Sequence, residues 1–216
     1  MSDPAAYHRG FARLTAHTVD PLLNLVRKSR SPRLLDLGCG TGVVSEAALA
    51  LGAEVTAVDD DLDMLEFTAR RLPHAQVRLA SLPELPYPEA TFDAVAGNFV
   101  INHVNDLPAA LAELHRVLRP GGTLALSWWK AGELTATEVL SAAIEAAGMP
   151  WAPPARPFAV YETPAAFTKA LRAEGFDGAA VDTIRWRHRA DLGAWWADVI
   201  AAGGPASAPS PGSRPR

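Results

Sequence analysis

The sequence predicts an α/β fold built on a mostly parallel sheet, because two features occur together. Between residues 33 and 128, short apolar runs alternate with segments of helical period, the pattern of repeated strand–helix units. The first of these runs, Arg33–Leu37, leads directly into the glycine cluster GCGTG. A glycine-rich turn between a strand and a helix is typical of doubly wound parallel sheets. We therefore expect a three-layer αβα sandwich with helices on both faces of the sheet.

The central elements follow from the spacing of apolar residues. Strands are predicted over Arg33–Leu37, Glu54–Val58, Gln76–Leu79, Phe92–Gly97 and Thr123–Trp128. Helices are predicted between them over Val43–Leu51, Leu62–Leu72 and Leu107–Arg119. The tripeptide Pro120-Gly121-Gly122 predicts a turn before the fifth strand.

The flanking regions have a weaker pattern. Residues 4–28 predict a helical segment, which is either a lid over the site (residues 1–30) or a packing helix. Residues 130–160 are expected to form a cap that includes a helix between Thr135 and Gly148. The next predicted elements are a helix from Thr163-Pro164 to Gly175, a sixth strand over Val181–Arg187 and a final helix over Asp191–Ala201.

The composition favours one domain over residues 1–202. The tail, residues 203–216, is mostly Gly, Pro, Ala, Ser and Arg and is predicted to be disordered, because almost nothing in it can be buried. A net charge of −4 gives no reason to expect nucleic acid as a partner. No apolar run reaches the roughly 18 residues of a membrane span, and the N-terminus lacks a signal-peptide pattern, so we expect a cytoplasmic protein with no membrane contact. One cysteine excludes an internal disulfide, and the histidines show no metal-ligand spacing.

The glycine loop and its acidic neighbours indicate the type of ligand. The spacing is G-x-G-x-G, and Val43 stands where a dinucleotide fingerprint has its third glycine. Asp36 places a negative charge beside the loop, which disfavours pyrophosphate and suits the ammonium of an amino acid. Asp59 ends the second strand, where a carboxylate can accept both hydroxyls of a ribose. Asp60 and Asp61 follow directly, and for them the alternative to ligand contact is N-capping of the helix that starts near Leu62.

At this point the sequence resembles the class I S-adenosylmethionine (SAM)-dependent methyltransferases, in the branch called methyltransferase type 11. The resemblance covers residues 34 to 128 and rests on four ordered segments. These are LLDLGCGTG, VTAVDDDLDML, LPYPEATFDAVAGNFVINHV and LHRVLRPGGTLALSWW. It implies a Rossmann-like seven-stranded sheet, with SAM across the carboxyl ends of the first, second and fourth strands. It also implies transfer of a methyl group to a small molecule, here assigned to secondary metabolism, with S-adenosylhomocysteine (SAH) as product and no metal.

The resemblance also implies roles for particular residues. Asp59 would hold the ribose, with the adenine between Asp60 and Met64 and with Ser81 and Leu82 at its edge. The methionine part would contact Asp36, Gly38, Cys39, Gly40 and Asn98.

Two departures from the family pattern stand out. Ser81 replaces the usual aspartate and accepts a hydrogen bond more weakly, which predicts looser SAM binding. After Ile200 no strand-like run remains for the seventh strand. Either the sheet is one strand short, or a second chain supplies that edge as in a homodimer, or the C-terminus is degenerate.

Candidates for the chemistry and for substrate contact lie after the fourth and fifth strands and on the N-terminal segment. Methyl transfer from a sulfonium needs mainly proximity, orientation and exclusion of water. His103, just after the fourth strand, is the candidate general base, with local packing as the alternative. Tyr7 and His8 on the lid segment and Trp129 after the fifth strand are candidates for substrate contact.

Three function classes follow. A small-molecule methyltransferase explains all the motifs together. A SAM-binding protein without methyl transfer, either a non-methylating enzyme or a partner subunit, is the alternative that Ser81 and the short C-terminus favour. A nicotinamide-dependent oxidoreductase is disfavoured by Val43 and Asp36.

Overall fold

A computed structural model of the chain describes residues 3–26, 32–130 and 157–201. Its centre is a five-stranded parallel sheet in the order β3-β2-β1-β4-β5. The order reverses between β1 and β4, and ligands of open parallel sheets bind at the carboxyl ends of the strands at such a reversal. The strands are β1 Arg33–Leu37, β2 Glu54–Asp59, β3 Gln76–Leu79, β4 Phe92–Asn98 and β5 Leu118–Ser127.

The helices of the described residues precede, connect and follow these strands. They are α1 Pro4–Arg9, α2 Phe11–Thr15, α3 Val19–Val26, α4 Val43–Ala50, α5 Leu62–Arg71, α6 Leu107–Val117, α7 Pro164–Ala173 and α8 Leu192–Ala201. Short 3₁₀ turns occur at Ala16–Thr18, Ile101–His103 and Pro157–Tyr161.

The core lies on both faces of the sheet because successive strand residues point to opposite sides. On one face Leu34 packs with Leu22 of α3 and Val44 of α4. On the other face Leu35 packs with residues of α6 and α7. The fully buried side chains on that second face include Val95, Leu111, Leu114, Val117 and Phe167. The predicted three-layer sandwich is confirmed.

The junction between α6 and β5 differs from the prediction. The helix ends at Val117, and the strand already starts at Leu118 rather than at Thr123. Phe92 pairs with Leu118 and Ala94 pairs with Thr123, so the intervening residues of β5 bulge out of the ladder. The predicted Pro-Gly-Gly turn is this bulge, and Gly121 has a φ of +75° in it.

The N-terminal segment is a chain of short helices rather than one continuous helix. The carboxylate of Asp3 caps α1 by accepting from the backbone N–H groups of Ala5 and Ala6. Gly10 separates α1 from α2, and a 3₁₀ turn precedes α3. The break lets α3 pack on the sheet while α1 extends over the glycine loop. The role of the segment as a lid stays a prediction.

The elements after residue 157 are only partly as predicted. Thr163 caps α7, and Asp191 caps α8 by accepting from the N–H of Ala194. The predicted sixth strand over Val181–Arg187 is wrong, because residues 179–190 form no ladder with any strand in the described part of the chain. The strand-like alternation is nevertheless present, since Trp186 and His188 are half-buried while the arginines between and beside them are exposed.

Several predictions fall on residues outside the described ranges. These are the cap and its helix within residues 131–156, the missing seventh strand and the disordered tail over 203–216. They stay predictions.

Candidate functional site

The glycine loop follows β1 at the carboxyl edge of the sheet. Gly38, Gly40 and Gly42 have φ values of +62°, +52° and +82°, the left-handed region that side chains other than glycine rarely adopt. The loop ends where α4 begins at Val43, so the first N–H groups of that helix point toward the same edge. The residue types of the loop therefore follow from its backbone conformation.

Two of these glycines are also required by close packing. A Cβ atom at Gly38 would lie 2.5 Å from Cγ2 of Val100, which follows β4. A Cβ atom at Gly42 would lie 2.9 Å from side-chain atoms of Leu72 and Thr68. At Gly40 a Cβ atom would meet the Tyr7 ring at 3.7 Å, an ordinary contact distance, so close packing does not require glycine at this position.

Asp59, the last residue of β2, holds the glycine loop from the side. One carboxylate oxygen accepts from the N–H of Gly40 at 2.7 Å, and the other accepts from the N–H of Asp61 at 3.0 Å. Burial raises the pKa of Asp59, while these two hydrogen bonds oppose the rise. Each carboxylate oxygen has a second lone pair, so the group can bind a ligand hydroxyl without releasing the loop.

The neighbouring residues separate into the roles expected for them. Asp61 caps α5 by accepting from the N–H groups of Asp63 and Met64, which confirms the capping alternative for this residue. Asp60 is exposed and Met64 is buried beside it. Their adenine contacts remain predictions.

Asp36 is placed differently from the expectation of an open negative charge. Its side chain is 1% exposed, and one oxygen accepts from both the N–H and the hydroxyl of Ser45, at 2.9 and 2.6 Å. Burial raises the pKa of Asp36 to about 7, against the effect of the Ser45 hydrogen bonds. The geometry makes Asp36 a tie between β1 and α4, and contact with an ammonium group remains a prediction.

This burial predicts a pH-dependent stability. The folded pKa of Asp36 lies near 7 and the unfolded value near 3.8, so the folded chain holds a proton that the unfolded chain releases. Stability therefore falls as pH rises from 4 to 7, by at most about 1.4 kcal/mol per pH unit. Asp36→Asn should remove this contribution, and urea unfolding at pH 5 and pH 8 measures it. The exposed Asp20→Asn is the control, and an identical pH slope in Asp36→Asn would contradict the assignment.

The adenine-edge candidates lie just beyond β3. Ser81 is exposed and forms an isolated antiparallel bridge with Glu84. Leu82 is partly buried against the core on the α6 face of the sheet. Both positions lie beside Asp59, since the N–H of Ala80 donates to the Asp59 carbonyl at 3.1 Å. Their contact with a ligand remains a prediction.

Asn98 ends β4 and is the centre of a network that the sequence did not indicate. Its Oδ1 accepts from the hydroxyls of Thr18 at 2.6 Å and Ser127 at 2.7 Å. Its Nδ2 donates to the carbonyl of Thr15 at 3.1 Å. One N–H of the amide remains for a ligand, so the predicted methionyl contact is compatible with this network. Thr15 and Thr18 could not be recognised from the sequence as partners of Asn98, because threonine is common in turns.

The lid segment covers the glycine loop. Nδ1 of His8 lies 3.0 Å from the hydroxyl of Thr41, and its ring packs on Phe67 of α5 at 5.5 Å between centroids. Burial and the nearby Asp59 carboxylate raise the pKa of Tyr7, while burial and the Arg71 charge lower the pKa of His8. Both candidates thus lie at the glycine loop, and their contact with a substrate remains a prediction.

The lid is held by the C-terminal helix. The guanidinium of Arg9 donates to the carboxylate of Asp198 on α8 at 2.9 Å and 3.2 Å. The N–H of Asp3 donates to the carbonyl of Ala201 at 3.2 Å. The two ends of the described chain therefore meet above the site.

The two tryptophans after β5 have different environments. Trp128 packs on Phe158 and Phe167 and belongs to the core face. Trp129 stacks on Phe99, with ring centroids 3.9 Å apart, and also contacts Trp186. Phe99 and Trp186 were not among the sequence candidates, since their contact arises from tertiary structure alone.

Two candidates remain, His103 and Cys39. His103 is exposed at the end of the 3₁₀ turn after β4, and its role as a base remains a prediction. Cys39 is buried within the glycine loop, and burial strongly raises the pKa of its thiol. Such a thiol is a poor nucleophile, which needs access and a low pKa, and the methionine contact of Cys39 remains a prediction.

The described residues also bear on three other kinds of feature, namely metal sites, membrane-spanning helices and concavities away from the glycine loop. They contain no group of three or more His, Cys, Asp or Glu that could hold a metal ion. They also contain no helix long and apolar enough to cross a membrane. A concavity of about 410 Å³ lies between α7 and Val181, and none of its lining residues belongs to the glycine loop. The carboxyl edge of the sheet therefore remains the candidate site.

Taken together, the parallel sheet, the glycine turn after β1 and the carboxylate ending β2 define a Rossmann-like domain. Residues 35–126 match the family model of the methyltransferase domain. Over this region the chain is similar to the class I SAM-dependent methyltransferases.

Named relatives agree with this family. The chain is 36% identical over 134 residues to the malonyl-acyl-carrier-protein O-methyltransferase of Serratia marcescens, which covers 62% of this chain and 52% of that protein. It is 39% identical over 95 residues to the demethylmenaquinone methyltransferase of Renibacterium salmoninarum. This match covers 44% of this chain and 40% of that protein. The chain thus spans about half the length, or less, of these curated relatives.

A solved structure shows the same fold. The complex between the Haloferax volcanii Trm112 methyltransferase activator and a methyltransferase matches with a TM-score of 0.61 at 18% identity. The match covers 79% of this chain and 72% of that chain. At this identity the likeness concerns the fold alone.

Proposed function

We propose that this protein binds SAM at the carboxyl ends of β1, β2 and β4 and transfers its methyl group to a small-molecule acceptor, with SAH as product. The observation that carries the proposal is the joint geometry of Asp59 and the glycine loop. The carboxylate accepts from the N–H of Gly40, so a hydroxylated sugar bound at Asp59 would lie against the glycine loop.

The described residues fit such a cofactor. Asp59 would hold the ribose, and Gly38 and Gly40 would let the methionine part approach the backbone. When bound, SAM supplies an activated methyl group on a positively charged sulfur. Tyr7 and His8 would exclude water above it, which strengthens every polar contact inside the site. Asn98 would position the end of β4 beside the acceptor.

Calorimetric titration with SAM and with SAH tests the cofactor part of the proposal. Binding of both is expected, and each should also raise the melting temperature. Absence of binding by either compound would overturn the proposal. Methyl transfer is then tested by screening small molecules with SAM carrying a labelled methyl group.

The second candidate is SAM binding without transfer. It is favoured by Ser81, which is exposed where relatives of this family usually carry an aspartate, and by the closed lid with its His8–Thr41 contact. It predicts SAH binding with no labelled product from any acceptor, alone or with a partner chain. A homodimer, which the sequence left open, is tested by sedimentation in the same preparation.

For the general base we expect a separation of turnover from affinity. His103→Ala should lower kcat by roughly tenfold or more with the acceptor found in the screen, because a positioned base contributes at least this much to methylation of a hydroxyl or ammonium. The SAH affinity should stay unchanged, since His103 is exposed beyond the end of β4. The exposed His74→Ala is the control. Unchanged kcat in His103→Ala would leave this residue a loop residue.

A further inference from the structure

A continuous ladder of aromatic rings lies at the carboxyl edge of the sheet. It starts at Phe99, continues through Trp129 at 3.9 Å and reaches Trp186 at 5.8 Å, all between ring centroids. His17 stacks on Trp186 at 5.9 Å, and its Nε2 lies 3.3 Å from Nδ1 of His188. The ladder therefore joins the end of β4, the end of β5, the lid segment and the segment before α8.

The position of the ladder connects it to the proposed methyl-transfer site. Phe99 directly follows Asn98, whose amide was assigned to the methionyl end of the cofactor pocket. Val100, the next residue, packs against Gly38 of the glycine loop. His17 directly precedes Thr18, which donates to Asn98. The rings thus lie beside the place where an acceptor has to approach the methyl group.

The backbone at Phe99 supports a role beyond packing. Its φ is +58°, in the left-handed region that a bulky side chain rarely adopts. The conformation is held by the Phe99 N–H, which donates to the carbonyl and the hydroxyl of Ser127, both at 3.1 Å. Such backbone conformations persist where the surroundings enforce them and are concentrated at ligand sites.

The contacts of the rings distinguish the ladder from the core. Trp128 and Trp129 are consecutive and both partly buried, yet Trp128 packs on the buried rings of Phe158 and Phe167. Trp129 packs instead on the partly buried Trp186, which stacks on the exposed His17. The ladder therefore runs from the end of β4 to an exposed side chain, and aromatic faces that are only partly covered can contact a ligand.

We propose that Trp129 and Trp186, supported by Phe99, form a wall on which a flat conjugated acceptor stacks, and that the His17–His188 pair contacts its polar group. This inference rests on the proposed methyl transfer and specifies the acceptor class. Aromatic faces bind planar π-systems in offset or edge-to-face geometry, which saturated rings of similar size cannot adopt. Imidazole ring nitrogens can donate or accept a hydrogen bond, which suits a hydroxyl or a carboxylate.

The test compares two carboxylates of equal charge and similar size on the SAH-saturated chain by calorimetry. The probes are 2-naphthoate, which is planar, and decalin-2-carboxylate, its saturated counterpart. Naphthoate should bind about tenfold more tightly. Trp129→Leu and Trp186→Leu should each remove this preference while SAH affinity is retained. Trp195→Leu is the matched control, because Trp195 lies on α8 and is not a member of the ladder.

A second variant keeps the test informative if a tryptophan variant fails to fold. His17→Ala changes an exposed residue and should weaken naphthoate binding several-fold without altering the melting temperature. Equal binding of the two carboxylates, no binding of either, or a preference that survives both tryptophan substitutions would overturn the inference while SAH binding stands. Absence of SAH binding by the unaltered chain would instead overturn the proposed function, and this inference with it.

Discussion

Asp59→Ala should weaken SAH binding by about 100-fold or more. The substitution removes an acceptor for both ribose hydroxyls, and each hydrogen bond to a charged group contributes about 1.5–3 kcal/mol. It also releases the N–H of Gly40, which the carboxylate holds at 2.7 Å, so the loop loses its lateral support. Both effects act on the same ligand, and calorimetric titration with SAH measures their sum.

The two contributions can be separated by a second variant. Asp59→Asn keeps one side-chain oxygen that can accept from Gly40, but it loses the negative charge and one acceptor. We expect an affinity between those of the unaltered chain and Asp59→Ala. Asp63→Ala is the control, because Asp63 is an exposed carboxylate in the first turn of α5. Equal SAH affinity in Asp59→Ala and Asp63→Ala would reject the ribose assignment.

The central sheet could be predicted closely because its signals are local. The bounds of β1 and β3 are the predicted ones, and β2 and β4 each extend one residue further, to Asp59 and Asn98. Apolar runs of period two and glycine turns depend on neighbouring residues only, so no tertiary information is needed. The capping role of Asp61 followed from the same kind of local rule.

The errors occur where a strand or side chain depends on a distant partner. The run Val181–Arg187 has the alternation of a strand, but a strand forms only where another strand offers its ladder, and none in the described residues does so. Asp36 shows the same limit for a side chain. Its position beside the glycine loop in the sequence predicts an accessible negative charge. In the structure Ser45, nine residues later, donates two hydrogen bonds to the buried carboxylate.

The site itself was half predictable for the same reason. The donor half lies in one stretch of sequence with a recognisable spacing, from Asp36 to Asp59. The proposed acceptor half brings together residues from separate segments, namely His17, Phe99, Trp129 and Trp186. Of these, only Trp129 was a candidate from the sequence, because no spacing rule joins positions that only the fold brings together.

Gly38→Ala should disrupt the glycine loop and with it both stability and cofactor binding. The residue has a φ of +62°, which costs an alanine roughly 1 kcal/mol. The new Cβ would also lie 2.5 Å from Cγ2 and 2.9 Å from Cβ of Val100. Contacts this short can be relieved only if the turn after β4 shifts. We expect a loss of about 2–4 kcal/mol in the free energy of unfolding and no measurable SAH binding.

Two further variants isolate the steric cause. Gly52→Ala has the same kind of backbone conformation, with a φ of +83°, but its Cβ would meet nothing within 4 Å, so it should lose only the backbone contribution. Combining Gly38→Ala with Val100→Ala removes the two Cγ atoms of Val100 and should recover part of the lost stability relative to the sum of the single variants. Urea unfolding of the unaltered chain, Gly38→Ala, Val100→Ala and the double variant gives the coupling energy between the two positions. If Gly38→Ala were no more destabilising than Gly52→Ala, the close contact between the glycine loop and Val100 would be rejected as the cause.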